Sequence, residues 1–159
     1  MSDKINIQSH KGIYTADFIR SGIDNLNSAP IENAIYIMDE KVAALYESRL
    51  GNIIDNQKII LIEAKEENKS LDKFPKYVEA LVDKKIRRGQ FLIAIGGGII
   101  QDITCFLAST VMRGLPWIFY PTTLLAQSDS CIGSKSSINS GAVKNILGKA
   151  VIVHQGEDD

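Results

Sequence analysis

The chain has 159 residues, a formal net charge of −1 and an apolar content of 45%. This composition is that of a folded protein of one domain, or of one domain with part of a second. The near-neutral charge gives no electrostatic reason to expect nucleic acid or a membrane as a partner. No apolar run approaches the roughly 20 residues of a membrane helix, and the N-terminus lacks the apolar segment of a signal peptide. Two cysteines, Cys105 and Cys131, do not form a disulfide framework, so they are expected as small core residues in a reducing cytoplasm.

Strand-like and helix-like segments alternate along the chain. Short apolar runs predict strands at 34–38, 58–62, 91–95 and 117–120. Between them, helices are predicted at 40–50, from Ser70 to residue 86, and at 99–112. Gly51 is expected to end the first helix, Ser70 to cap the second at its N-terminus, and Gly89 to cap it at its C-terminus. The alternation predicts an α/β fold with a mostly parallel sheet flanked by helices.

Two segments lie outside this alternation. Residues 11–19 are a candidate extra edge strand. After Pro121 the chain becomes rich in hydroxyl, amide and charged side chains as far as Asn145. That stretch is too polar for a core, and it predicts a loop-rich surface that contacts a polar ligand.

Three consecutive glycines, Gly96, Gly97 and Gly98, stand between the third strand and the following helix. Glycines let phosphates approach the backbone, and the first amides and the dipole of a helix favour an anion. The turn therefore predicts a phosphate site for a dinucleotide such as NAD. Asp102, expected in the first turn of the helix, would accept a hydrogen bond from a hydroxyl. Because three glycines are not the G-x-G-x-x-G fingerprint, a tight structural turn is the alternative.

Further polar side chains follow the second and fourth strands, at the edge where the carboxyl ends of parallel strands meet. They are Glu66, Lys69, Thr122, Thr123, Asp129, Lys135, Lys144 and Asn145. Such groups suit ribose hydroxyls and a phosphorylated, polyhydroxylated substrate. Each alone has an ordinary explanation, since charged loops are usually solvated and either threonine could be a helix N-cap.

The motifs resemble those of the 3-dehydroquinate synthases and related sugar-phosphate cyclases. The matching residues are Gly96-Gly97-Gly98 with Asp102, Met112-Arg113-Gly114 with Pro116, the run 121–130 (Pro-Thr-Thr-Leu-Leu-Ala-Gln-x-Asp-Ser), Lys135 with Ile138-Asn139, and Lys144-Asn145. The clear match runs from 91 to 148, and Asp39, Glu66 and Lys69 extend it thinly toward the N-terminus.

The resemblance implies a Rossmann-like, NAD-binding N-terminal domain over residues 1–148. It implies a carbon-oxygen lyase of the shikimate pathway, active in aromatic amino acid biosynthesis. In that family NAD transiently oxidises a hydroxyl of a seven-carbon sugar-acid phosphate, phosphate leaves by elimination, and the opened ring closes again. A cytoplasmic homodimer that binds this small substrate, with no nucleic acid or membrane partner, is expected.

Residue roles follow from the matched positions. The expected NAD contacts are Asp39, Glu66, Lys69, Gly97, Gly98, Asp102, Thr122, Thr123, Asp129, Ser130, Lys135 and Lys144. Asp39 would reach the adenosine ribose. Asp129, Lys135, Lys144 and Asn145 would hold substrate, and Arg113 would reach its phosphate, in the partner subunit if the protein is a dimer.

The departures from the family pattern concern the metal. Family members hold zinc or cobalt with a glutamate and two histidines in a helical C-terminal domain, which this sequence is expected to lack. His10 and His154 lack metal-like spacing, so no metal ligand is predicted and the isolated chain is expected to be inactive. The tail 149–159 departs from the family pattern.

Gln101, Ser134 and Val143 stand where small residues are commonest in dehydroquinate synthases, which hints at another cyclase branch. Open alternatives are a sedoheptulose 7-phosphate cyclase, a relative of the metal-dependent glycerol and alcohol dehydrogenases, and a non-catalytic module that binds NAD or dimerises.

Overall fold

A parallel sheet of four strands forms the centre of the protein, in a computed structural model that describes residues 3–9, 12–55, 57–132 and 135–150. The strands are β1 Asp3–Ser9, β2 Gly12–Phe18, β3 Ala34–Asp39, β4 Ile59–Ile62, β5 Phe91–Gly96, β6 Trp117–Pro121, β7 Lys135–Ser140 and β8 Val143–Ala150. The helices are α1 Gly22–Ser28, α2 Glu40–Leu45, α3 Glu47–Ile54, α4 Phe74–Asp83 and α5 Gly98–Thr110. Short 3-10 turns occupy Glu66–Lys69, Leu71–Lys73 and Val111–Arg113, and a π-helical turn occupies Ala126–Ser130.

The central sheet has the order β4-β3-β5-β6, and each neighbouring pair is parallel. Helices cover both of its faces, which explains why its strands are continuous apolar runs instead of alternating ones. The four predicted strands are confirmed to within one residue at each end. The predicted α/β class, with a mostly parallel sheet flanked by helices, is confirmed.

Apolar side chains pack on both faces of the sheet. On one face α4 and α5 bury Leu81, Ile100 and Ile103. On the other face α1 to α3 bury Leu26 and Leu50 among others. The hairpin of the motif-rich part of the chain packs on the same side of the sheet as α4 and α5, through Ile138. The buried residues of α5 hold this helix rigidly in place beside it.

Gly51 does not end the first predicted helix. The helix instead breaks at Tyr46, and α3 continues through Gly51 to Ile54. Leu50 and Ile53 are both fully buried, so packing carries the helix past the glycine and overrides its weak propensity.

The predicted helix from Ser70 to residue 86 is shorter than expected. Two 3-10 turns precede it, α4 starts at Phe74 with Pro75 in its first positions, and Ser70 is not its cap. Proline starts a helix well because its missing N–H would have no helical partner there. Gly89 has a positive φ of 78°, but it lies in a turn after the end of α4 and is not the C-cap.

Two antiparallel ribbons flank the sheet. The candidate edge strand at 11–19 is the strand β2, but it pairs with β1 and does not extend the central sheet. The stretch predicted to be loop-rich after Pro121 instead contains the hairpin of β7 and β8. Fully buried Ile138 anchors this hairpin in the core beside α5.

Within the described part of the chain, Cys105 is buried and Cys131 is half-buried, and neither forms a disulfide. None of the described helices combines the length and the apolar character that crossing a membrane requires.

Candidate functional site

The glycine turn joins the end of β5 to the start of α5. Gly97 is the N-cap residue, and no described side chain caps the helix there. A Cβ added at Gly96 would lie 2.7 Å from Ile100 Cγ1, and one at Gly97 would lie 3.1 Å from Thr123 Cγ2. At Gly98 the nearest described atom would be Ser130 Oγ, at 3.9 Å. Packing thus accounts for two glycines but not for Gly98, whose bare Cα leaves the helix N-terminus open to a ligand.

The carboxyl end of β6 forms the neighbouring wall. The amide of Thr122 donates to Gly96 O at 2.9 Å, which holds this segment against the turn. Thr123 Oγ1 accepts from the amide of Ala126 at 3.2 Å, so the cap explanation fits this threonine. Thr122 Oγ1 and Ser130 Oγ, by contrast, are buried and have no hydrogen-bond partner among the described residues.

Buried hydroxyls usually have a partner. Ser130 Oγ lies beside Gly98, and Thr122 follows the strand that ends at the same turn. Together these hydroxyls and the open helix N-terminus can receive the oxygens of an anionic, hydroxylated ligand. This arrangement fits the phosphates and riboses of a dinucleotide.

The ammonium group of Lys69 is buried next to Asp102, which follows Gly98 by about one turn of α5. Lys69 is only 7% exposed. Its Nζ is 3.1 Å from Asp102 Oδ2, 3.1 Å from Asn145 Oδ1 and 3.6 Å from Glu66 Oε1. The three donors of the ammonium therefore face three oxygens from three separate elements. The 3-10 turn that carries Lys69 is itself held by the Tyr77 hydroxyl, which donates to Asn68 O at 2.9 Å.

The hairpin completes this network. Asn139 Nδ2 donates to Glu66 Oε1 at 2.9 Å, and Asn139 Oδ1 accepts from the amide of Asn145 at 2.8 Å. Ser137 donates twice, from its Oγ to Asn145 Oδ1 at 2.9 Å and from its amide to Asp102 Oδ1 at 3.1 Å. Asn145 has a φ of 54°, a conformation that asparagine tolerates better than most residues.

Sequence reasoning missed the roles of Ser137 and Asn139 in this network. The Ile138-Asn139 pair belongs to the recognised motif, so Asn139 had a signal. Ser137 contributes a hydroxyl and a backbone amide, and the amide contact is one that no residue type indicates.

The two carboxylates are perturbed in opposite directions. Burial raises the pKa of Asp102 above its ordinary value, although Lys69 and the Ser137 amide act to lower it. The Asn139 amide, more than any other group, lowers the pKa of Glu66, and Lys69 and the exposed Lys144 add to that effect. Glu66 is therefore ionised at neutral pH, and its negative charge attracts the ammonium groups of Lys69 and Lys144.

Of three further predicted residues, one, Asp102, differs in placement from the sequence-based expectation. Asp102 lies in the second turn of α5, not the first, because the helix begins one residue earlier than predicted. Asp39 accepts from the amide of Lys41 at 3.0 Å and caps α2 at the carboxyl end of β3. Arg113 follows the far end of α5; 13 helical residues place it about 20 Å from the glycine turn. The structure does not bring Arg113 to the site within one chain.

The remaining predicted residues surround the same edge. Asp129 is exposed on the turn Ala126–Ser130, and Lys144 is exposed on β8. Lys135 begins β7, and its side chain lies outside the described part. Across residues 3–9, 12–55, 57–132 and 135–150, no three histidine, cysteine, aspartate or glutamate side chains group closely enough to hold a metal ion. His10, Ser134 and His154 lie outside the described residues.

The sequence model of the family described as 3-dehydroquinate synthase N-terminal matches residues 59–155, more than half of the chain. The chain belongs to this family, as its motifs predicted. The 3-dehydroquinate synthase of Clostridium tetani is 40% identical over 114 residues, which cover 70% of this chain and 31% of that protein. The chain thus spans about a third of the length of such curated relatives.

Solved structures share the fold. A 2-deoxy-scyllo-inosose synthase aligns with a TM-score of 0.78 at 23% identity and covers 94% of this chain and 45% of that one. The 2-epi-5-epi-valiolone synthase of Streptomyces hygroscopicus, solved with NAD+ and Zn2+ bound, aligns with a TM-score of 0.71 at 27% identity. That alignment covers 84% of this chain and 39% of the synthase. The predicted fold, that of the N-terminal domain of the dehydroquinate synthase-like proteins, is confirmed.

The lowered pKa of Glu66 and the raised pKa of Asp102 predict how the stability of the protein depends on pH. Because the folded-state pKa of Glu66 is lowered, its contribution to stability is present above the ordinary glutamate value of about 4.3. That contribution disappears as the pH falls through the folded-state value. We expect the difference in unfolding free energy between wild type and Glu66→Gln to shrink between pH 7 and pH 3, as measured by urea denaturation. Asp102, whose pKa is raised mainly by burial, contributes with the opposite sign; Glu66→Gln removes the small part of that rise that the charge of Glu66 causes.

Asn139→Ala is the companion variant for this measurement. It removes the amide that mainly lowers the Glu66 pKa, so the pH-dependent part of the Glu66→Gln effect should be smaller in that background. A Glu66→Gln effect that is constant across the pH range would contradict this assignment.

Proposed function

We propose that this chain is the NAD-binding part of a 3-dehydroquinate synthase-like lyase. The lyase would eliminate phosphate from a seven-carbon sugar-acid phosphate and close its ring. The observation that carries the proposal is the open turn at Gly98 with two buried, unpartnered hydroxyls near it, on Thr122 and Ser130. Family membership supports the reaction class, and the NAD+ bound to the 2-epi-5-epi-valiolone synthase supports the cofactor.

The glycine turn would receive the pyrophosphate of NAD. The N-terminal amides of α5 and its dipole favour negative charge there, and Gly98 allows a phosphate to approach the backbone. The Thr122 and Ser130 hydroxyls would donate to phosphate or ribose oxygens. Asp39 ends β3 at the same edge and would accept from the hydroxyls of the adenosine ribose. When bound, NAD supplies the acceptor for the transient oxidation of a substrate hydroxyl.

The Lys69 network would order the other side of the same site. Its amine is shared among three protein oxygens, so we assign Lys69 and its partners Glu66 and Asp102 to holding the hairpin beside the cofactor. The hairpin then presents Lys144 and Asn145, which follow the β7–β8 turn, to the substrate.

Substrate binding would require cations near the leaving phosphate, because elimination develops negative charge there. Lys144 and Lys135 on the hairpin would supply two, and Asp129 would bind substrate hydroxyls. Arg113 would supply a third cation to the site of the partner subunit in a homodimer. Its position about 20 Å from the glycine turn of its own chain supports that assignment.

A divalent metal, zinc or cobalt in the family, would supply the Lewis acid for the oxidation step in such a lyase. The described residues offer no group of side chains that could hold it, and we propose that this chain alone is inactive. We further propose an NAD-binding domain over 1–148 with an atypical tail at 149–159. The protein would be cytoplasmic and would not bind nucleic acid or a membrane.

A cyclase acting on another sugar phosphate, such as sedoheptulose 7-phosphate, is the second candidate. The 27% identity to the 2-epi-5-epi-valiolone synthase supports this second candidate. The 40% identity to a dehydroquinate synthase puts the shikimate reaction first.

Titrating NAD into the wild-type chain and into Gly98→Val tests the cofactor site. The added side chain occupies the space left open at the helix N-terminus, so we expect the Kd to rise at least about tenfold, or about 1.4 kcal/mol. Gly51→Val is the matched control, because Gly51 is a helical glycine with no described atom within 4 Å of an added Cβ. Equal NAD affinity in all three proteins would overturn the assignment of the turn.

An assay of phosphate release tests the proposed limit on activity. The isolated 159-residue chain, given NAD, zinc or cobalt and the seven-carbon sugar-acid phosphate, is expected to release no phosphate above background. Measured release would mean that the chain assembles a metal site by itself. Binding of NAD without release agrees with the proposal.

A further inference from the structure

Gln101 is a buried amide in the first turn of α5. It is 3% exposed, and its neighbours Ile100 and Ile103 are fully buried. Its Nε2 donates to the backbone oxygen of Ser130 at 2.6 Å, across 29 residues of chain. A buried amide is costly unless it is hydrogen-bonded, so the burial of this side chain depends on its contact with Ser130.

Ser130 is the last residue of the π-helical turn, and Gln101 completes that turn's hydrogen bonding. The amide of Cys131 donates to Ala126 O at 2.8 Å, and the amide of Ile132 donates to Asp129 O at 3.1 Å. The oxygen of Ser130 is bound instead by Gln101. π-Helical turns are rare and frequently lie at functional sites.

The position of this contact matters for the glycine turn. Ser130 Oγ lies 3.9 Å from the place that a Cβ on Gly98 would take, and it has no partner among the described residues. Gln101 follows Gly98 by three residues on the same helix. Its hydrogen bond therefore ties the backbone of Ser130, the residue that carries this hydroxyl, to the helix whose N-terminus the ligand would meet.

We propose that Gln101 is a positioning residue for the cofactor site, acting through Ser130. It holds the turn Ala126–Ser130 against the start of α5, so that the Ser130 hydroxyl is oriented before NAD binds. A group that is fixed in advance binds more tightly than one that must be ordered on binding. This inference rests on the proposed NAD site, and Gln101 itself does not touch the cofactor.

A double-mutant cycle on NAD affinity tests the proposal in the 159-residue chain. Gln101→Met keeps the length of the side chain and removes its donor, and Ser130→Ala removes the hydroxyl. We expect each single variant to raise the Kd about five- to tenfold. The Kd of the double variant should be about that of the single variant with the higher Kd, because the effects of residues that act as one unit do not add.

Gln90→Met is the matched control. Gln90 is also a buried glutamine, 7% exposed, and its Oε1 accepts from the amide of Arg87 at 2.7 Å. It precedes β5, about 20 Å along the strand from the glycine turn. Its substitution should lower stability to urea but leave the Kd for NAD within about twofold. If Gln101→Met does not fold, Gln101→Ala takes its place in the cycle.

The outcomes separate the two proposals. If the wild-type chain binds NAD and Gln101→Met binds it with the same Kd, the positioning role alone is overturned. Gln101 is then a structural residue. Additive effects of Gln101→Met and Ser130→Ala also overturn it, since Gln101 would then not act through Ser130. Absence of NAD binding by the wild-type chain overturns the proposed function, and the positioning role with it.

Discussion

The buried ammonium of Lys69 is the constraint on which the arrangement of this site depends. A charged group removed from water is tolerated only where partners compensate for the lost solvation, and removal of one partner of a buried pair is strongly destabilising. Here the compensation comes from Asp102 on α5, Asn145 on the hairpin and Glu66 on the 3-10 turn. The cation is satisfied only when all three elements are in contact, so its burial requires that the hairpin be docked on the sheet domain.

Helix α5 is the common anchor of both sides of the site. Gln101 and Asp102 are consecutive, and successive residues of a helix point about 100° apart. Gln101 therefore reaches the turn Ala126–Ser130, whereas Asp102 reaches Lys69 and the hairpin. The helix is itself fixed by fully buried residues such as Ile100 and Ile103. Two polar side chains on one rigid helix thus hold the turn Ala126–Ser130 on one side of the open turn at Gly98 and the hairpin on the other.

An element of the fold could be predicted from the sequence where local residue types determine it, and could not where tertiary contacts do. The strands around residues 34–38 and 91–95 are buried on both faces, so their apolar runs mark them clearly. The end of a helix at Gly51 was predicted wrongly, because burial of Leu50 and Ile53 decides that helix and a local propensity does not.

The hairpin was missed for a different reason. Its buried residues include Ser136 and Asn139, whose polar character indicates a loop unless their partners are known. Those partners are distant in sequence: Asp102 is 33 residues from Lys69 and Asn145 is 76 residues from it. Residue types and motif spacing predicted that Glu66, Lys69, Asp102 and Asn145 are site residues. That they bind one another follows only from the tertiary structure.

Hydrogen exchange at the amide of Ser137 tests the central claim most directly, because this amide donates to Asp102 across the contact between hairpin and helix. In Lys69→Met the compensated network is lost. The account predicts that the Ser137 amide then exchanges at least about tenfold faster, or about 1.4 kcal/mol. The amide of Leu92, which donates to Pro116 O at 3.0 Å in the central sheet, should keep its protection. Unchanged protection of Ser137 in Lys69→Met would contradict the claim that the buried ammonium docks the hairpin.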